Sequence, residues 1–169
     1  LASETWSASL DSLDISGNAV NETAVANLVN CSHLSGLKTL RLAERKLNKA
    51  AGETLLATSD PWPSITSLDL SNAELGSRRI EILLKWSPLE QLKQLSLRDN
   101  GVKYKQITPL LQQLLNIEWL DLSVNSVGGQ PASNLKAGKP APGVAAFQEM
   151  PHLAQLRWLS LSSTYLWPA

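Results

Sequence analysis

The chain has 169 residues, 43% of them hydrophobic and 18% charged, and its fifteen basic and fifteen acidic side chains cancel. That length and content suit a single globular domain with a real core. Zero net charge removes the electrostatic basis for holding nucleic acid or an anionic membrane surface, and no apolar run reaches the length of a membrane span.

One pattern, L-x-x-L-x-L-x-x-N-x-L, recurs six times: Leu10–Val20, Leu37–Leu47, Ile65–Leu75, Leu92–Val102, Ile117–Val127 and Leu156–Leu166. All 24 of its apolar slots hold Leu, Ile or Val, which are only 45 of the 169 residues, so chance does not account for it. Successive starts at 10, 37, 65, 92, 117 and 156 give steps of 27, 28, 27, 25 and 39 residues. A step of 27 or 28 accommodates a strand, a turn, a helix of about three turns and a return loop. Self-similarity at such a period marks a solenoid.

Within each copy the period-2 core Leu-x-Leu predicts a short strand. After the first strand the apolar spacing lengthens to three and four at Val25, Leu28 and Val29, which predicts a one-sided helix. Leu55 and Leu56 follow the second strand, Ile80, Leu83 and Leu84 the third, and Ile107, Leu110, Leu111 and Leu114 the fourth. Strand and helix repeated in one direction require a parallel sheet with the helices on one side. Neither face is buried until the coils stack.

These repeats resemble the ribonuclease-inhibitor-like class of leucine-rich repeats, also found in Ran GTPase-activating proteins and NOD-like receptors, over Leu10 to Leu166. The resemblance implies an α/β fold: a right-handed leucine-rich-repeat solenoid, or horseshoe, with six parallel strands on the concave face and helices on the convex face. It implies a single repeat domain over 1–169 but no particular partner. The family's Asn slot, whose amide bonds backbone groups of neighbouring coils, holds Asn18, Asn100 and Asn125 but Arg45, Ala73 and Thr164 elsewhere. Irregular turns are therefore expected around Arg45 and Ala73, with Asn72 a possible stand-in.

The 39-residue step contains an insertion at about 128–143, GGQPASNLKAGKPAPG, whose prolines and glycines oppose regular structure. It reads as a binding loop or a tolerated excursion, followed by a short helix within Val144–Leu153 that ends near Pro151.

Alternation along each strand turns three slots away from the core. The first reads Ser12, Thr39, Ser67, Gln94, Trp119, Trp158; the second Asp14, Arg41, Asp69, Ser96, Asp121, Ser160; the third Ser16, Ala43, Ser71, Arg98, Ser123, Ser162. Trp119 and Trp158 occupy one slot in consecutive repeats, so their indoles are expected side by side. They serve there as interface anchors, as a self-packed pair that stiffens the C-terminal end, or as a sugar-stacking platform. Asp14, Arg41 and Asp69 predict a charge ladder on adjacent strands. Arg98, with Asp99 beside it and Asp121 on the next strand, predicts a rim contact.

The remaining tryptophans read as structural: Trp86 covering the end of the third helix, Trp62 in a rigid extended turn, Trp6 and Trp167 as terminal lids. Cys31, the sole cysteine, reads as a small apolar filler in the first helix, and cannot form the disulfide caps usual in extracellular repeat proteins. An intracellular protein or a secreted bacterial effector is the expectation. The chain begins with Leu1 and stops just past the sixth strand, so a piece of a larger protein, or an end covered by another chain, is expected.

There is no phosphate-cradling loop and no metal-spaced His or Cys cluster, and His33 and His152 read as ordinary loop histidines. No cofactor is expected. The functional expectation is a non-catalytic scaffold for a protein or peptide, held through Trp119, Trp158, Arg98, Asp121, Arg41, Asp69 and Asp99. The alternatives are a regulatory or substrate-recognition domain of a larger enzyme (a GTPase regulator or ligase) and carbohydrate binding at the tryptophan pair.

Overall fold

The computed structural model describes residues 10–44, 47–58, 61–129 and 142–165. Six strands occur in chain order, each three residues long: β1 Ser12–Asp14, β2 Thr39–Arg41, β3 Ser67–Asp69, β4 Gln94–Ser96, β5 Trp119–Asp121 and β6 Trp158–Ser160. Between them run α1 Glu22–Val29, α2 Lys49–Ala57, α3 Gly76–Leu83, α4 Tyr104–Gln113 and α5 Pro142–Gln148. Short 3-10 turns at Ser32–Leu34, Ser87–Gln91 and Pro151–Gln155 lead into β2, β4 and β6.

The strands form one all-parallel sheet in the order β1-β2-β3-β4-β5-β6, with every repeat in register with the next. This is an α/β architecture of repeated strand–helix units, consistent with a solenoid. Each strand begins at the first of the outward slots that alternation predicts. The middle residues Leu40, Leu68, Leu95 and Leu120 point the other way and are buried. All sixteen apolar slots of the second to fifth repeats are buried and belong to one core cluster with the helix residues Val25, Leu28, Leu55, Ile80, Leu83, Ile107 and Leu110. Each such leucine contributes about 1.5–3 kcal/mol. In the first repeat the corresponding Leu10, Leu13, Ile15 and Val20 are half-buried, and Leu159 of β6 is exposed.

Three of the helices, α1, α2 and α4, start at a side-chain hydrogen bond. Asn21 Oδ1 accepts from Ala24 N–H at the head of α1, and Asn48 Oδ1 accepts from Ala51 N–H at the head of α2. At α4, Gln106 Oε1 accepts from Lys103 N–H while its amide donates to Ser77 O of the preceding coil. Cys31 lies beyond the end of α1 rather than inside it, and is buried. Leu84 is half-buried, outside the apolar stripe expected for it.

The turn after each strand corrects one expectation. The eighth residue of every repeat (Gly17, Glu44, Asn72, Asp99, Val124 and Ser163) has a left-handed backbone, with φ between 50 and 73°. Its amide donates to the next repeat: Gly17 to Ala43 O, Glu44 to Ser71 O, Asn72 to Arg98 O, Asp99 to Ser123 O, Val124 to Ser162 O. Main-chain bonds thus set the path at this residue without an asparagine, and past Ala73 the turn takes two further left-handed residues, Glu74 at φ 50° and Gly76 at φ 65°. Asn72 does not stand in for the missing asparagine, because its amide donates to Glu44 Oε1. Instead Leu47 N–H, equivalent to the donors that Asn100 and Asn125 serve, donates to the Ala73 carbonyl. Arg45 lies outside the described residues, as do Trp6 and Trp167.

The helix expected within Val144–Leu153 starts earlier, at Pro142, and ends at Gln148, with Pro151 opening a separate 3-10 turn. Of the 128–143 insertion, residues 130–141 lie outside the described set. The returning segment packs α5 on α4 and is tied down by His152 Nε2, 2.8 Å from Leu111 O, and by Gln155, whose amide donates to Leu115 O. His152 is therefore a half-buried packing residue, whereas His33 is exposed. Trp62 is fully buried, and Trp86, just past α3, donates its indole N–H to Thr58 O of the preceding coil. Among the described residues, no helix is long and apolar enough to cross a membrane.

Candidate functional site on the open face of the sheet

Parallel strands in register place like slots beside like, so the columns of the sequence become rows on the surface. Trp119 and Trp158 are direct partners across β5 and β6. Their rings stack with centroids 4.2 Å apart and planes 5° from parallel, a separation close to the strand spacing. Trp119 is half-buried between its neighbours, and Trp158 remains 40% exposed. The row continues to Gln94 on β4, whose Oε1 accepts from Ser67 Oγ.

The acidic residues of the second slot have a structural task that their identity alone did not reveal. Asp14, Asp69 and Asp121 each accept from the backbone N–H of the serine two residues on, at 2.9 Å. Asp69 also accepts from Ser71 Oγ, which lies 2.6 Å from Ser96 Oγ. The bonds from Ser16, first its backbone N–H and then its hydroxyl, hold the Asp14 carboxyl below its ordinary value, helped by Arg41. The predicted ladder is half made. Arg41 reaches Asp14 at 3.9 Å between two exposed side chains, but among the described residues no ion pair joins Arg41 to Asp69.

Arg98 also differs from expectation. Its Nη1 donates to Ser123 Oγ at 2.9 Å, and no ion pair links it to Asp121 or Asp99 among the described residues. Asp99 sits in the left-handed turn past β4, on the edge of the sheet rather than on its face. The structure therefore brings Trp119, Trp158, Asp121, Arg98 and Asp99 onto one half of the surface and leaves Arg41 and Asp69 on the other.

Two features went unread in the sequence. The residue before each first slot forms a further row (Asp11, Lys38, Thr66, Lys93, Glu118, Arg157) in which Lys38 pairs with Asp11 at 3.1 Å and Glu118 with both Lys93 and Arg157, at 3.7 and 3.4 Å. Its charges were visible as a column. Exposed pairs of this kind contribute little to stability. The second is a cavity of about 420 Å³ at the turn edge, lined by Asp99, Gly101, Val124, Asn125, Ser126, Ser163 and Tyr165. A larger hollow of about 800 Å³, lined by Ile15, Val20, Leu28 and Cys31 among others, lies at the first repeat, and none of the expected residues is in its described lining.

Among the described residues, no group of three His, Cys, Asp or Glu side chains is placed to hold a metal ion. No model of a known protein family matches the chain, and no curated protein matches it in sequence.

Proposed function

We propose that this chain is a leucine-rich-repeat scaffold of the ribonuclease-inhibitor-like kind, whose open sheet face is the concave wall of a short horseshoe and holds a protein or peptide without catalysing a reaction. The observation that carries this reading is the stacked indole pair, with Trp158 40% exposed at one end of the sheet. Large aromatics on a surface are the usual anchors of protein interfaces. Here the in-register sheet fixes them before any partner arrives, so little side-chain freedom is lost on association. Asp121 and Arg98, already oriented by Ser123, supply polar contacts around the anchor.

Replacing Trp119 and Trp158 together by Ala tests it. Capture of a partner from source lysate, followed by titration of that partner, is expected to lose about 2 kcal/mol of binding free energy while the far-ultraviolet circular dichroism stays unchanged. Undiminished affinity in the double variant rejects the site. A glycan array read by tryptophan quenching separates the carbohydrate alternative, which predicts signal there and no protein partner.

A further inference from the structure

At the C-terminal ends of β4, β5 and β6 the chain turns through Asp99, Val124 and Ser163, with φ of 50, 57 and 55°. The amides of Asp99 and Val124 donate to Ser123 O and Ser162 O, at 3.1 and 2.9 Å. Main-chain bonds therefore hold these turns in line while their side chains stay uncommitted. Gly101 leaves space between them and Tyr165 stands as a wall, 59% exposed. The hollow is half open to solvent, and its volume of about 420 Å³ is within the range of small-ligand and anchor-residue sites.

Among the described residues, Asp99 is the only charged one in that lining. Asn125 already directs its amide to three carbonyls. Arg98, the nearest cation in sequence, is drawn away by its bond to Ser123. The Asp99 carboxylate has no hydrogen bond or ion pair with any of the described residues. An unpaired carboxylate beside a phenol and two hydroxyls suits a cation, which donates charge-assisted bonds to the oxygens and contacts the ring.

We infer that this cavity receives a basic side chain, an ammonium or guanidinium group, from the same partner segment whose planar residue covers the indole pair. The inference rests on the peptide-binding reading above and adds the chemistry of the second anchor. Trp119 and Val124 are five positions apart, as are Trp158 and Ser163. At about 3.3 Å per residue that is roughly 16 Å, so an extended partner lying along the strands carries its planar and basic residues about five positions apart.

A phage-displayed library of random twelve-residue peptides, selected on the intact chain and on Asp99→Asn, decides the matter. Asparagine tolerates the left-handed backbone and the carboxylate has no partner to lose, so this variant keeps its thermal midpoint. The wild-type chain is expected to enrich peptides with an aromatic or proline residue and a Lys or Arg four to six positions away. Asp99→Asn is expected to keep the planar preference, lose the basic one, and bind a synthetic selected peptide about fivefold more weakly in low salt. Planar residues without a basic preference, or identical selections by both chains, overturn the cavity assignment and leave the proposed function standing. Selections no better from the wild type than from the double tryptophan variant overturn the binding reading, and the cavity assignment with it.

Discussion

Repeats one to three and repeats four to six share strand length, register and turn path, yet they present different chemistry on the open face. In the first half the leading row is Ser12, Thr39 and Ser67, and the charges pair locally, Asp14 with Arg41 and Asp11 with Lys38. In the second half the row is Gln94, Trp119 and Trp158, ending in exposed aromatic surface, and the turn edge carries the unpaired Asp99. The halves also differ beneath the surface. Asn100 and Asn125 are buried and joined to each other, since Asn125 Oδ1 accepts from both Asn100 N–H and Val102 N–H. Asn18 is exposed and bonds only its own turn, and the third repeat has Ala73. The aromatic display thus stands on the part of the array with the most cross-coil side-chain bonding. A rigid support and a sticky surface coincide.

The sharpest way to break that contrast is Asn125→Ala. It removes five side-chain hydrogen bonds to buried backbone groups of two coils and strands their donors and acceptors. Chemical denaturation is expected to register a loss of about 3 kcal/mol. Asn18→Ala, the same change in the exposed first repeat, is expected to stay within about 0.5 kcal/mol. Equal losses at the two positions mean that the ladder does not distinguish the halves.

Much of this difference was legible in the sequence and part was not. Strand positions and the adjacency of the tryptophans followed from period-2 alternation and a constant repeat length, because parallel in-register pairing turns sequence columns into spatial rows. What each polar side chain does within its row was not legible. Asp69 and Asp121 looked like surface charges until their bonds to Ser71 and Ser123 placed them as turn-formers. Arg98 had acidic neighbours in sequence and in the next strand, and chose a hydroxyl. The path at Asn72 and Ala73 depends on main-chain bonds that no side chain announces, and the cavity depends on left-handed turns aligning Asp99, Val124 and Ser163 beside Tyr165.

A second test concerns how the C-terminal half is closed after the long excursion. Gly143, in the first turn of α5, sits so close to the fifth repeat that an added Cβ would lie 1.9 Å from Val127 O. That oxygen is backbone and cannot rotate aside, so Gly143→Ala must push α5 outward and loosen its packing on α4. A loss of about 2 kcal/mol is expected, with faster hydrogen exchange at Ala146 and Phe147 and little change in the first three repeats. Gly52→Ala is the matching change in the first half. Its nearest obstacle is the flexible Arg79 side chain, 2.6 Å away, which can move, so the effect there is expected to be smaller. Reversal of that order places the tighter helix packing in the other half.

The smallest effect belongs to the self-paired charges of the first half. Asp14 is held in its ionised form mainly by Ser16 and secondarily by Arg41, so its carboxyl titrates below 3.8 in the folded chain. A depressed carboxylate contributes stability above its unfolded value and loses that contribution as pH falls through the folded value. The window therefore lies in acid, below 3.8, and stability near neutral pH is insensitive to it. Carboxyl-carbon NMR titration should place the Asp14 midpoint below that value. Arg41→Ala should move it upward only slightly, because the bonds from Ser16 are the larger cause. A large upward move on removing Arg41 assigns the depression to the cross-strand charge pair, and then the first half of the face is organised by its ion pairs rather than by its turns.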